Sequence, residues 1–133
     1  MMAEQDIYYW KRIWMLKMAN RYQLIIDAKV QKELDDKEFI VELIKEIARL
    51  IDMRIIFGPA VADGVPQNPG LSAFAIIDFS HISIHTFKGN NQFCLDIFSC
   101  KKFDFNKLKE FIKKTFRIEE DNLYFKIIER EEI

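Results

Sequence analysis

The stretch Asp78-Phe79-Ser80-His81-Ile82-Ser83-Ile84-His85-Thr86-Phe87 decides how this chain is read. Its period of two marks a strand with one covered and one open face. By that alternation His81, Ser83, His85 and Phe87 share one side, and Ile82 and Ile84 take the other. Both of the 2 histidines in the protein fall inside it. Hydroxyls and imidazoles are expensive to bury without partners. The face is therefore either the solvent side of an ordinary half-exposed strand or a place where reactive groups are gathered. The residues alone leave both open.

Working outward, Ser72 to Ile77 and Phe93 to Ser99 read as flanking strands, with Lys88-Gly89-Asn90-Asn91 as a turn. Gly58 to Gly70 holds three of the 4 glycines and all 3 prolines, and reads as one long loop. Met53 to Phe57 and Tyr22 to Val30 are further strands, the latter around the apolar run Leu24-Ile25-Ile26. Between them a helix is expected, with Asp35 as N-cap and Glu38 completing a capping box. Phe39, Ile40, Leu43, Ile44, Ile47, Leu50 and Ile51 form its apolar face. Asp104 caps a second helix, with Leu108, Phe111 and Ile112 inward and Lys107, Lys109, Lys113, Lys114 and Arg117 on a solvated face. Leu123 to Ile128 is the last strand. The order β-α-β-β-β-β-α-β predicts a two-layer α+β sandwich, an antiparallel sheet with two main helices, over residues 22–133. Residues 1–21 precede it as an arm, with an aromatic helix expected over Asp6 to Asn20. The arm packs on the domain or a partner subunit, or docks on a membrane surface.

Composition narrows the class. The 133 residues suit one domain, and 50% hydrophobic with 14% aromatic residues rules out intrinsic disorder. Lys plus Arg number 20 and Asp plus Glu 21, a net charge of −1 that argues against a nucleic-acid partner. No apolar run approaches the ~20 residues of a membrane span, and no signal-peptide core is present. A cytoplasmic protein with no membrane partner follows as the default. The 2 cysteines, Cys94 and Cys100, make no disulfide framework, and no metal-ligand set is read.

Ser80-His81-Ile82-Ser83-Ile84-His85-Thr86 resembles the signature Glu-Ser-His-(Ile/Leu)-Ser-Ile-His-Thr-Trp-Pro-Glu of the bacterial and archaeal S-adenosylmethionine decarboxylases. The family's Asp-Val-Phe-Thr-Cys-Gly is matched at the same offset by Asp96-Ile97-Phe98-Ser99-Cys100-Lys101. Its Gly-(Val/Leu)-Ser is matched by Gly70-Leu71-Ser72, eight residues ahead of Ser80. Leu24-Ile25-Ile26-Asp27 resembles its opening strand, so the resemblance runs from about Tyr22 to Ile128. Cys94 has no counterpart and is expected in the core.

The resemblance implies a proenzyme that cuts itself between Phe79 and Ser80, leaving a pyruvoyl group derived from Ser80 as its cofactor. It implies His85 as the processing base, Ser72 as its support and Cys100 as the group that returns a proton to the substrate carbon. It further implies a homodimer with active sites at the subunit interface, and a small-molecule substrate, S-adenosylmethionine, in spermidine synthesis. Three departures bear on substrate recognition. Phe79 stands where the family has Glu, with Asp78 one place earlier; Phe87-Lys88-Gly89 replaces Trp-Pro-Glu; and Val65-Pro66-Gln67 stands near the offset of an adenine-stacking aromatic. Phe87, Asp78 and Pro66 are the remaining substrate-binding candidates. Those departures keep open a pyruvoyl decarboxylase of ornithine or arginine, and an uncleaved inactive paralogue acting as a binding or regulatory subunit.

Overall fold

A computed structural model describes residues 3–6 and 21–131. The helix expected over Asp6 to Asn20 lies, past Asp6, outside the described residues. Six strands form one sheet: β1 (Arg21–Lys29), β2 (Ile55–Val65), β3 (Asn68–Ile77), β4 (Ser80–Phe87), β5 (Gln92–Ser99) and β6 (Leu123–Arg130), in the order β2-β3-β4-β5-β1-β6. All neighbours are antiparallel. Helix α1 (Lys37–Leu50) follows β1 and helix α2 (Phe105–Phe116) follows β5. This is the expected α+β sandwich.

Both helices cover one face. Leu24 and Ile26 of β1, Ala73 and Ala75 of β3, Ile82 and Ile84 of β4, and Leu95 and Ile97 of β5 point toward them and are almost wholly buried. Ile40, Ile44 and Ile47 of α1 and Leu108 and Ile112 of α2 close the core from above. The helices meet through an edge-on contact of Phe39 with Phe116, and Phe116 also packs on Phe93 of the sheet. The opposite face carries the alternate residues, among them Ser72, Phe74, Ile76, His81, Ser83, His85, Cys94, Asp96 and Phe98. No helix among the described residues is placed over it.

Three expectations change. The N-cap of α1 is Asp36, whose carboxylate accepts from the N–H groups of Glu38 and Phe39, with Asp35 one residue outside. The expected loop from Gly58 to Gly70 is a hairpin: β2 runs to Val65, turns through Pro66-Gln67, and returns as β3. Its prolines and glycines are tolerated because β2 is an edge strand with several register shifts, where ladder hydrogen bonds are dispensable. Cys94 is not a core residue. Phe93 and Leu95 take the inward positions, so the pleat turns Cys94 to the open face.

Candidate active site

The chain turns from β3 to β4 through Asp78-Phe79, and Ser80 opens β4 opposite Ile77 on one side and Ser99 on the other. Cys100 leaves β5 next to Ser99. The N–H of Cys100 donates to the C=O of Phe79 at 2.9 Å, and Ser80 Oγ lies 3.5 Å from Cys100 Sγ. Ser80 has φ 148°, a region that L residues other than glycine rarely adopt, so the Phe79–Ser80 link is held strained. Phe79 turns its ring onto the edge of the core, away from the open face. The residues that surround Ser80 on the open face include Gln23, Phe74, His81, Phe98 and Arg130. His81 is held between the rings of Phe74 and Phe98, with centroids 5.4 and 5.8 Å away. Arg130 lies over the other ring contact of this wall, 5.2 Å from the centroid of Phe98.

Ser72 and His85 form a second cluster. They are paired across β3 and β4, and Ser72 Oγ is 2.9 Å from His85 Nδ1. His85 is five residues along β4 from Ser80. At the usual rise of a strand that is about 16 Å, far beyond hydrogen-bond reach. Cys94, across from both His85 and Asp27, has its thiol pushed up to about 12 by burial and by the hydrogen bond and charge of Asp27. It is a weak nucleophile. Asp96, opposite Ser83, has its carboxyl raised by burial and by Asp27, an effect that His85 and His81 partly reverse.

The other candidates are spread out. Phe87 ends β4 on the His85 side of the sheet. Pro66, at the tip of the β2–β3 hairpin, shares a cleft with Glu33, Asp63 and Lys88. Asp78 is exposed and engaged elsewhere: its carboxylate accepts from the N–H of Arg54 at 3.2 Å, and its own N–H donates to the Arg54 C=O at 2.9 Å. The structure thus joins Phe79, Ser80 and Cys100 at one end of β4, and joins Ser72 to His85 near the other.

Two contributions are invisible to side-chain reasoning. The donor on Phe79 is a main-chain group of Cys100, and only the β4–β5 register brings it there. Thr86, one of the seven motif residues, is a structural tie: its buried hydroxyl donates to Leu34 C=O at 3.1 Å and accepts from Leu71 N–H at 2.9 Å. Gly70 serves the same corner. Its φ is +145°, and a Cβ there would lie 1.9 Å from the Thr86 carbonyl oxygen.

The fold places the protein among small α+β sandwich domains, here with a strained serine against a thiol at a strand end and its preceding carbonyl bonded by a main-chain N–H. Residues 22–130 match the family described as S-adenosylmethionine decarboxylase, and this chain belongs to that family of decarboxylases. The S-adenosylmethionine decarboxylase proenzymes of Clostridium botulinum strains Langeland and Okra are each 36% identical to it over 115 residues, covering 84% of this chain and 90% of theirs. The proenzyme of strain Hall is equally similar. No helix among the described residues is long and apolar enough to cross a membrane.

Proposed function

We propose that the chain is a self-processing, pyruvoyl-dependent S-adenosylmethionine decarboxylase of polyamine (spermidine) synthesis, working in the cytoplasm as a homodimer. The carrying observation is the 2.9 Å bond from Cys100 N–H to the Phe79 carbonyl beside the strained Ser80. In the proposed cleavage, Ser80 Oγ bonds to the carbonyl carbon of Phe79, and the C–N bond of the Phe79–Ser80 peptide breaks. The hydroxyl proton passes to the departing nitrogen, leaving an ester. Removal of the Ser80 Cα proton by a base breaks the Cβ–Oγ bond and releases Phe79 as a carboxylate. Position 80 then takes up water, loses ammonia and is left as a pyruvoyl group. Negative charge develops on the Phe79 oxygen in the first step, where Cys100 N–H already points. Release of the φ strain at Ser80 favours the same step.

The residues fit the group they would generate. When formed, it supplies an electron sink for the pair left on the substrate carbon as carbon dioxide departs. The Cys100 thiol, at the same strand end, holds the proton to be returned to that carbon. His85 acts as base and Ser72 as its support, but not on the Ser80 of their own chain, because about 16 Å of strand intervenes. A second copy, packed open face to open face with its strands reversed, brings its Ser72–His85 pair to Ser80. Phe87 and Pro66 lie on the His85 side, so they approach the substrate from the second copy. Asp78 stays bound to Arg54 and plays a structural part.

Intact mass under denaturing conditions is the direct test. The reading predicts two species, Met1–Phe79 and Ser80–Ile133, the second blocked at its N-terminus, and carbon dioxide release from S-adenosylmethionine. A single 15.9 kDa species would overturn it and leave the uncleaved binding subunit. Cleavage with release only from ornithine or arginine would replace the substrate and keep the chemistry.

A further inference from the structure

We propose that Lys101 is a positioning residue for the cut between Phe79 and Ser80, acting through the Phe79 ring; the proposal rests on the self-processing reading above. Lys101 Nζ lies over that ring, 5.4 Å from its centroid, within the range of a cation–π contact. The ammonium is itself anchored, because it donates to the C=O of Asp52 at 3.1 Å. The Asp52 carboxylate, 3.7 Å away and 99% exposed, adds little. The Lys101 main chain is fixed as well: the fully buried Ser99 accepts from its N–H at 2.9 Å and donates to its C=O at 2.6 Å.

Two consecutive residues therefore grip Phe79 from the same side. Cys100 N–H holds its carbonyl, and the Lys101 ammonium holds its ring. A strained conformation such as that of Ser80 persists only where its neighbours are over-determined. Fixing the Phe79 ring fixes the peptide plane that follows it. The scissile carbonyl then stays aimed at Cys100 N–H, with its carbon open to Ser80 Oγ. Both members of the cation–ring contact, Phe79 and Lys101, depart from the motifs quoted above, Phe for Glu and Lys for Gly. In the structure the two departures touch, which makes them one unit.

The test compares cleavage rates of freshly translated full-length chains, followed by intact mass. Lys101→Met keeps the aliphatic stem and removes the cation; Lys101→Arg keeps a cation able to stack on the ring and to bond the Asp52 carbonyl. The expected result is cleavage on the order of tenfold slower in Lys101→Met, with Lys101→Arg within about threefold of wild type. The thermal midpoint of Lys101→Met in the uncleavable Ser80→Ala background should match that of Ser80→Ala alone. Wild-type rates in Lys101→Met would overturn the proposal while leaving self-processing intact. Equal slowing in Lys101→Arg, or slowing matched by a lower midpoint in the Ser80→Ala background, would also overturn it in favour of a purely structural contact. A wild-type chain that never cleaves would remove the self-processing reading and this proposal together.

Discussion

At the scale of single residues, Cys100 carries two separable groups. Its N–H touches the Phe79 carbonyl and its thiol touches Ser80. Cys100→Ala keeps the first and deletes the second. It should cleave at close to the wild-type rate and decarboxylate on the order of 10²- to 10⁴-fold more slowly, as expected for loss of a positioned proton donor. Ser80→Ala should not cleave at all. Asp96 gives a pH-dependent prediction. Its carboxyl is raised from 3.8 by burial first, so its charged form weighs against folding. That penalty is fully present above the raised value and absent below 3.8. Asp96→Asn should therefore raise the thermal midpoint at neutral pH, with the gain vanishing as pH falls through this window. Ser80, His85 and Cys100 were legible as candidates because the motif run and its offsets are unbroken. The Cys100 N–H was not, since main-chain donors leave no trace in a side-chain pattern. Lys101 carries no signal in the sequence; only the placement of its ammonium over the Phe79 ring singles it out.

At the scale of elements, the strands and helices follow from period and capping. Ile40, Leu43, Ile44 and Ile47 recur at steps of three and four and become the buried stripe of α1. Ile44 is 0% exposed, so Ile44→Ala should cost about 2–5 kcal/mol in chemical denaturation. The β2–β3 hairpin was hidden because glycine and proline density reads as loop. An edge strand with shifted register accepts both, and because β2 is exposed along most of its length there is no strong alternation to find. The corner where the start of β3 lies against the end of β4 is sensitive to a small change. Thr86→Val strands the Leu71 N–H and the Leu34 C=O in a buried corner, a cost of about 1–3 kcal/mol. Gly70→Ala forces a Cβ into the Thr86 carbonyl and should disturb the same corner, lowering the thermal midpoint without touching Ser80.

At the scale of the whole molecule, the candidate residues divide between the two ends of one strand, and in the proposed dimer a second copy reunites them. His85→Ala and Ser80→Ala chains should each fail to cleave when expressed alone. Co-expressed, the His85→Ala chain should be cut, because its intact Ser80 meets the His85 of a Ser80→Ala partner. Intact mass distinguishes the two, and silence in the mixture would argue for a base supplied within each chain. Dimerisation was an implication of resemblance in the sequence, since an open sheet face has the same alternation whether water or a second sheet covers it.

The strand order has a consequence for the proposed cut. Severing the chain after Phe79 leaves β1, α1, β2 and β3 on one piece and β4, β5, α2 and β6 on the other. In the sheet, β1 of the first piece is threaded between β5 and β6 of the second, while β3 lies against β4. The two pieces are woven, warp through weft. Each would grip the other along three strand seams, so a backbone broken there would still yield a single fabric, opened only at the few residues around Phe79 and Ser80.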